Sequence, residues 1–432
     1  QAQFLVLRPL PGQRLGLRLP DPDEGFELQF ALPQDGDALI ALLRQLGVRH
    51  VHYHHLLGHG AFVQGLPARL GVGYDFTAHD FYPICPQISL TDHTDGYCGE
   101  KGVDQCTACL KRAPAPGGVG IVAWRLKSAE FLNGARWVIA PSRDVLARLI
   151  KLVPGAPLAL VPHTDIDPTQ PLPEPAPMPL AGNRPLKVAV IGALSVIKGA
   201  DVLEEVAIAA RKQNVPVEFD LIGFGYRSLK TQPHASLTVH GRYDEADLPE
   251  LLAWLQPDLV WFPARWPETY SYTLSACLQG GWPVVAPDLG AFAERLAGRR
   301  WSWVVPWQQP TADWLRFFAD IRTRHFATGQ GPEPLVPVPA VDSAGPTAAH
   351  AAQPPAWYAG AYLAQLPASS DVAVPNSAWA AFLPASDADT AGGAKGQALS
   401  ALARLRALPV LAPVARAIPQ HWQTRVKSWL RR

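Results

Sequence analysis

The sequence predicts an α/β fold with doubly wound parallel sheets. Three features support this prediction. Between residues 187 and 327, short runs rich in Val, Ile and Phe alternate with segments whose apolar residues have helical spacing. The runs contain few polar positions, as expected of strands covered on both faces. With 432 residues, 48% of them hydrophobic, the chain is long enough to bury more than one core.

The strands predicted in this region are, in chain order, "LKVAVIGAL", "VEFDLIGF", "LVWFPA" and "WPVVAPD". The segments "ADVLEEVAIAARKQ", "EADLPELLAWLQ" and "AFAERLAG" are predicted helices, because their apolar residues recur three and four apart. Sheets built from successive βα units bind ligands beyond the carboxyl ends of their strands. Lys198 follows the first strand and Glu268 follows the third, so both are expected at that edge.

Glycines at the same strand ends suggest a phosphate site. Lys198 and Gly199 come after the first strand, and Gly223-Phe224-Gly225 comes after the second. Free N–H groups at helix N-termini suit a diphosphate, and a lysine beside them adds a full charge. The alternative is that these glycines only form turns and that the lysine is solvated surface. The candidate glycines are Gly192, Gly199, Gly223 and Gly225.

Proline-rich stretches divide the chain. Segment 166–186 holds too much proline for a helix or a central strand and is predicted to be a semi-rigid linker. Segment 328–397 has few large apolar residues and is predicted to be partly disordered, with "AWYAGAYLAQL" (356–366) as an ordered island. The predicted organisation is an N-terminal domain at 1–165 with a Cys-rich insertion at 85–109, the linker at 166–186, a ligand-binding domain at 187–327, the low-complexity segment at 328–397 and basic amphipathic helices at 398–432.

The net charge and the hydropathy of the chain bear on whether it binds nucleic acid or a membrane. The net charge of +1 provides no overall field that would recruit nucleic acid. No apolar run approaches the roughly 18 residues of a membrane-spanning helix, and no signal peptide is evident, so a cytoplasmic chain is expected. The segment 398–432 combines Leu and Val with arginines, Trp422 and Trp429. It can pack its apolar face on the N-terminal domain, the favoured interpretation, or lie on an anionic membrane surface.

Four motifs in register resemble a known family. "IGALSVIKGADVL", "DLIGFGY", "VHGRYDEADLPELL" and "WFPARWPETYSYTLSACLQGGWPVVAPDLGAFAERL" resemble the donor domain of retaining glycosyltransferases of family 4, and the N-terminal half resembles a subgroup that acts on bacterial surface polysaccharides. The resemblance implies a GT-B fold, in which two Rossmann-like domains face each other across a cleft. It also implies a nucleotide-diphosphate sugar as donor and no obligatory catalytic metal.

The resemblance implies roles for individual donor-side residues. Lys198 would neutralise the leaving diphosphate, and Glu268, the first glutamate of the family's Glu-x7-Glu motif, would hold hydroxyls of the donor sugar. The stretch expected at the phosphates comprises Thr269, Tyr270, Ser271, Tyr272 and Thr273. Two positions depart from the family. Ala276 stands where a carboxylate usually binds the ribose, and Ala193 stands where many members carry an arginine.

The N-terminal half is expected to supply the other wall of the cleft. "VRHVHYH" and "YDFTAHD" are predicted strands, and the resemblance implies that His79 faces the donor sugar. Asp80 and His59 are candidates on the acceptor side. His52, His54 and His55 are predicted to be packing and loop residues, because strand alternation sends His54 and His55 to opposite faces.

The chain opens with "QAQFLVLRPLPGQRLGLRLPDPDEGFELQF", without the glycine-rich loop with which family members begin. Either the first βα unit lies upstream, in which case the chain is a fragment of a larger polypeptide, or the N-terminal domain is remodelled. The fragment is the favoured interpretation.

Cysteines cluster directly after His79. The spacing Cys85-x12-Cys98-x7-Cys106-x2-Cys109 would allow four thiolates to hold one structural zinc ion. The closing pair has a spacing typical of zinc sites, whereas the wider gaps do not. Free thiols or disulfides are the alternatives, and a catalytic cysteine is not expected.

The sequence therefore predicts a retaining, hexosyltransferase-like enzyme whose acceptor is a saccharide or a lipid-linked saccharide. A catalytically degenerate module that binds carbohydrate or nucleotide is the alternative, favoured by Ala276 and the missing glycine-rich loop. A nucleotide-sugar epimerase is a third interpretation, with Asp80 and Glu294 as its only candidate acid/base carboxylates.

Overall fold

The computed structural model describes residues 4–20, 27–167, 169–336, 357–366 and 382. The chain divides into two compact units after Val48, within the region predicted to be one N-terminal domain. The first unit contains an antiparallel meander, β1 (Val6–Leu10), β2 (Arg14–Arg18) and β3 (Glu27–Ala31), followed by helix α1 (Gly36–Gln45). Alternate residues of β3, Leu28 and Phe30, are buried, which is the pattern of a sheet covered on one face.

The second unit begins with a four-stranded parallel sheet in the order β4-β5-β6-β7. Its strands are β4 (His50–Tyr53), β5 (Gly73–Thr77), β6 (Val138–Ala140) and β7 (Leu158–Leu160). The helices between them are α2 (Ala61–Gln64), α3 (Leu66–Leu70), α4 (Val103–Arg112), α5 (Ile121–Asn133) and α6 (Arg143–Leu152).

A six-stranded parallel sheet follows, in the order β10-β9-β8-β11-β12-β13. Its strands are β8 (Leu186–Leu194), β9 (Val217–Gly225), β10 (Leu237–Val239), β11 (Leu259–Trp261), β12 (Val284–Pro287) and β13 (Ser302–Val305). The accompanying helices are α7 (Ala200–Gln213), α8 (Leu248–Leu255), α9 (Tyr272–Gln279), α10 (Phe292–Leu296) and α11 (Thr311–Ile321). The order reverses between β8 and β11, as in a Rossmann sheet. The predicted α/β class with two Rossmann-like parallel sheets is confirmed.

Strand β8 is buried on both faces because its alternate residues enter different cores. Val188 and Val190 join the core beneath α7 and α11, together with Phe219 and Trp261. Ala189 and Ile191 join the core beneath α8, α9 and α10. Burial on both sides fixes the register of β8, since a shift by one residue would exchange the two sets. The carboxyl ends of β8 and β11 are therefore held next to each other.

The predicted ordered island is confirmed for residues 357–366, which form turns of helix at Tyr358–Tyr362 and Leu363–Gln365. Trp357 and Tyr362 are buried against Ile139 and Ala159 of the four-stranded sheet. The predictions for residues 398–432 lie outside the described residues. No helix within the part of the chain that the structure describes is long and apolar enough to cross a membrane.

Candidate functional site

Lys198 and Glu268 meet at the point where the strand order of the six-stranded sheet reverses. Lys198 lies in the loop after β8 and Glu268 in the loop after β11, and Lys198 Nζ is 3.8 Å from Glu268 Oε1. Trp266 Nε1 donates a hydrogen bond to the same carboxylate oxygen at 3.0 Å. Burial raises the pKa of Glu268, and the charge of Lys198 opposes that rise. The structure thus brings together two residues that the sequence predicted separately.

Two glycines allow these loops to approach. Gly199 has φ +86°, and a Cβ there would lie 2.1 Å from the carbonyl oxygen of Pro263. Gly290, after β12, has φ +67°, and a Cβ there would lie 2.4 Å from the carbonyl oxygen of Glu268. Both positions therefore require glycine, for its left-handed conformation and for space. Gly199 was predicted as a donor-binding residue, and the contacts it makes here position the loop that carries Glu268.

The prediction for the second strand needs correction. β9 continues through Gly225, so Gly223 and Gly225 lie in the strand and not in a loop that leads to a helix N-terminus. Gly192 likewise lies within β8, and a Cβ on Gly223 would lie 2.0 Å from its carbonyl oxygen. The glycines at this point permit a close approach of two strands. In the part of the chain that the structure describes, a loop and not a helix follows β9, so no helix N-terminus is available here for a phosphate.

A cavity of about 470 Å³ opens at the carboxyl ends of β8 and β9. Ala193 and Phe224 form part of its lining, and the guanidinium of Arg242 lies 4.2 Å from the centroid of the Phe224 ring. Its remaining lining residues are Tyr243, Asp244, Glu245 and Asp247. An aromatic and cationic wall beside carboxylates suits a ligand that carries both a flat ring and hydroxyl groups.

Helix α9 begins beside Glu268 and presents its N-terminus to the site. Ser271 has φ +76° and caps the helix, with its Oγ accepting a hydrogen bond from the backbone N–H of Leu274 at 3.3 Å. The first N–H groups of an α-helix have no partner within it, so those of Tyr272 and Thr273 are oriented for an anion. Thr269 differs from its prediction, because its Oγ1 donates a hydrogen bond to the carbonyl oxygen of His79 at 2.8 Å.

His79 belongs to an imidazole cluster with His52, His54 and His163. His54 Nδ1 lies 2.8 Å from His79 Nε2, so one ring donates a hydrogen bond to the other. The His79 and His163 rings stack with centroids 5.0 Å apart. His163 also stacks on Tyr272 of α9, at 5.2 Å. The imidazole cluster therefore runs from the four-stranded sheet to the N-terminus of α9.

The imidazoles are held neutral. Burial, together with the neighbouring histidines, lowers the pKa of His79 to about 3. Burial lowers the pKa of His52 to about 3 and that of His163 to about 4. Around neutral pH these rings therefore act as hydrogen-bond donors and acceptors and not as cations.

Two histidine predictions are corrected. β4 ends at Tyr53, so strand alternation no longer applies to His54 and His55. Both rings turn toward the loop after β5, where His55 Nδ1 lies 2.8 Å from Asp80 Oδ2. His54 is therefore a direct partner of His79 and more than a packing residue. His163 was missed, although it follows β7 and the rule that places ligands beyond strand ends would have found it.

The acceptor-side candidates have different surroundings. Asp80 is engaged by His55 through one oxygen, and its Oδ1 accepts a hydrogen bond from the backbone N–H of Tyr82 at 2.9 Å. His59 Nδ1 is buried and has no hydrogen-bond partner among the residues that the structure describes. His59 thus retains unused hydrogen-bonding capacity, whereas Asp80 shapes a turn. Glu294 of the epimerase interpretation is also engaged, because both its oxygens accept the N–H of Arg143 at 3.0 and 2.9 Å.

The cysteine cluster does not form the predicted zinc site. Cys85, Cys98, Cys106 and Cys109 are free, and among the described residues no three His, Cys, Asp or Glu side chains are arranged to hold a metal ion. Burial raises the pKa of Cys85 and of Cys98 to about 11, so a metal ion would have to displace a proton from each thiol before binding it. Cys85 and Cys98 lie in the loop between β5 and α4, and Cys106 and Cys109 lie in α4.

The protein is expected to lose stability as pH falls from about 6.5 toward 5. In the unfolded chain histidine binds a proton near pH 6.5, whereas His52, His79 and His163 stay neutral when folded, so the unfolded state binds more protons in this window. Burial raises the pKa of Asp144 to about 6 and of Glu294 to about 7, which acts in the opposite direction. Burial also raises the pKa of Glu218 and of Glu268, which reduces the loss, but the larger shifts of the three imidazoles are expected to decide its sign.

Melting temperatures at pH 7 and pH 5 measure this effect. The His163→Asn variant should show a smaller fall than the unaltered protein, and the exposed His93→Asn variant the same fall. A melting temperature that stays constant or rises toward pH 5 would contradict the neutral imidazole cluster.

Comparison with known proteins gives distant structural likenesses only. No protein-family profile and no curated protein sequence matches the chain. Sucrose-phosphate synthase from Thermosynechococcus elongatus is 16% identical, with a TM-score of 0.46 over 69% of this chain and 71% of that one. Anabaena HepE in complex with UDP-glucose is 13% identical, with a TM-score of 0.44 over 68% and 74%. The catalytic domain of starch synthase IV from Arabidopsis thaliana is 16% identical, with a TM-score of 0.38 over 76% and 84%. These likenesses are too distant to transfer an activity.

Proposed function

We propose that this protein is a glycosyltransferase that moves a sugar from a nucleotide-diphosphate sugar to a saccharide or lipid-linked saccharide, with retention of configuration. The observation that carries the proposal is the pair formed by Lys198 and Glu268, 3.8 Å apart at the switch point of the six-stranded sheet. In open α/β sheets this point is where ligands bind. A cation beside a largely buried carboxylate matches a donor that joins a diphosphate to a hydroxyl-rich ring.

The proposed chemistry is mainly electrostatic. The bond between the sugar C1 and the diphosphate oxygen breaks, and the electron pair leaves with the diphosphate, whose charge Lys198 and the N-terminus of α9 stabilise. Glu268 accepts hydrogen bonds from sugar hydroxyls as positive charge develops on the ring. The neutral imidazole of His79 contributes a further hydrogen bond to the sugar.

Retention of configuration would arise because bond breaking and bond formation take place on the same face of the sugar. The acceptor hydroxyl would attack C1 from the face that the diphosphate leaves, passing its proton to a departing phosphate oxygen. The resemblance to family 4 supports this route, in which no residue of the protein acts as a nucleophile.

A degenerate binding module is the second candidate, and Ala276 favours it. Residue 276 lies on α9, is partly buried against the core, and carries no carboxylate that could bind a ribose. Such a module would bind a nucleotide or a saccharide without transferring the sugar. A transferase would bind the donor and release nucleoside diphosphate from it, whereas a binding module would bind the donor without releasing nucleoside diphosphate.

Calorimetric titration with UDP, GDP and ADP tests the proposed donor site. One nucleotide should bind, and Lys198→Ala should weaken its affinity by about tenfold or more, because a charge-assisted contact to phosphate is removed. Lys212→Ala is the matched control, since Lys212 is an exposed lysine near the far end of α7 and its loss should leave affinity unchanged. Absence of binding by all three nucleotides would reject the proposed function.

A further inference from the structure

Arg295 of α10 lies directly under the loop that leads into α9. Its Nη1 donates hydrogen bonds to the backbone carbonyl oxygens of Tyr270 at 2.9 Å and Ser271 at 2.7 Å. Its Nη2 donates to Ser275 Oγ at 2.7 Å, and its guanidinium lies 3.9 Å from the centroid of the Tyr270 ring. One side chain thus holds both ends of the turn that opens α9.

The turn is one that the local sequence does not favour by itself. Ser271 adopts φ +76°, a conformation that non-glycine residues rarely take, and it does so at the helix cap. The bonds from Arg295 to the carbonyl groups on either side of this φ angle hold the residue there. Because the orientation of the N–H groups of Tyr272 and Thr273 depends on this turn, Arg295 determines where they aim.

The positive charge of Arg295 has no ion-pair partner among the residues that the structure describes. Among the described residues, no carboxylate forms an ion pair with its guanidinium, and Asp165 and Glu294 act on it only from a greater distance. Burial lowers the pKa of the arginine, which shows that the folded protein solvates this cation less well than water does. A largely buried cation held only by neutral oxygens and an aromatic ring is costly, and an anion bound nearby would offset that cost.

We infer that Arg295 is a positioning residue of the donor site, which fixes the N-terminus of α9 and has the donor's diphosphate as its missing counter-charge. The inference rests on the proposed function, since it places the diphosphate at α9. Arg295 would also replace the positive charge that is absent at Ala193, an exposed residue at the end of β8. Its action is indirect, because backbone and side-chain oxygens of residues 270–275 already occupy its donors.

Three variants test the inference. Arg295→Gln removes the charge and most of the hydrogen bonds, and Arg295→Lys keeps the charge without the fork that reaches three oxygens. Arg299→Gln is the matched control, because Arg299 is also a buried arginine, four residues further on, whose described hydrogen bond goes to Ser302 at 3.4 Å. Each variant is titrated with the nucleoside diphosphate that binds the unaltered protein, with its monophosphate, and with inorganic pyrophosphate.

The expected result is a loss specific to the diphosphate. Arg295→Gln should weaken binding of the diphosphate and of pyrophosphate by about tenfold or more, and weaken binding of the monophosphate less. Arg295→Lys should recover part of this loss. Arg299→Gln should bind all three ligands like the unaltered protein. Equal losses for the diphosphate and the monophosphate would overturn the inference, because they indicate a merely structural role. Unchanged affinity in a folded Arg295→Gln variant would overturn it as well.

Two further outcomes are distinguishable. If Arg295→Gln does not fold, the Arg295→Lys variant tests the inference instead. A ratio of diphosphate to monophosphate affinity lower than in the unaltered protein would support the inference. An unchanged ratio would overturn it. If the unaltered protein binds neither nucleotides nor pyrophosphate, the proposed function fails first, and the inference fails with it.

Discussion

Replacing Asp75 with asparagine is expected to lower the free energy of unfolding by about 3 to 5 kcal/mol. Asp75 in β5 is fully buried, and its carboxylate accepts hydrogen bonds from Arg136 Nη2 at 2.6 Å and from the backbone N–H of Trp137 at 2.8 Å. It also lies 2.6 Å from His50 Nε2. Asparagine would leave the guanidinium of Arg136, whose side chain is 24% exposed, without its counter-charge, and removing one partner of a buried ion pair is strongly destabilising.

Chemical denaturation of Asp75→Asn against the unaltered protein measures this loss. Asp320→Asn is the matched control, because Asp320 pairs with Arg324 at 2.8 Å on the surface, where both side chains are at least half exposed. An exposed pair contributes about 0 to 1 kcal/mol, so the control should change little. Equal losses in the two variants would mean that burial at Asp75 has no special cost. A loss of stability at Asp75 would also affect the candidate site, since β5 leads directly to His79 and Asp80.

The βα units of residues 187–327 could be predicted because their signals are local. Helix α7 spans the quoted segment Ala200–Gln213, and β8 ends at the predicted Leu194, since apolar periodicity and flanking glycines are properties of neighbouring residues. The edge that holds Lys198 and Glu268 follows from strand order alone. Any sequence of alternating buried strands and helices places such loops on one side of the sheet.

The contacts that complete the site could not be predicted in the same way. His54 and His79 are 25 residues apart, and their hydrogen bond depends on β4 ending at Tyr53, a boundary that periodicity does not fix. Arg295 reaches Tyr270 from a different βα unit, through side-chain geometry that no local pattern encodes. Gly223 was wrongly predicted to follow β9 for a similar reason. A glycine that lets two strands approach has the same sequence signal as one that ends a strand.

Replacing His79 with alanine is expected to lower the rate of sugar transfer by about 100-fold to 1,000-fold, the usual cost of removing one hydrogen-bond donor that acts in the transition state. Affinity for the nucleoside diphosphate should change little, because the donor phosphates are expected at Lys198 and α9. His54→Gln should lower the rate less, since it alters only the group bonded to His79 Nε2. The measurement is release of nucleoside diphosphate from the donor sugar, with water or a saccharide as acceptor.

The pH dependence of that rate separates a neutral imidazole from a protonated one. Burial and neighbouring histidines lower the pKa of His79 to about 3, so the ring keeps one state between about pH 5 and 8 and its titration should not appear in the profile. A rate that falls with a midpoint near pH 6.5, and loses that fall in His79→Ala, would contradict the neutral role. The exposed His93→Asn variant should have the profile of the unaltered protein. A His79→Ala variant that transfers sugar at full rate would show that the reacting sugar does not contact the imidazole cluster.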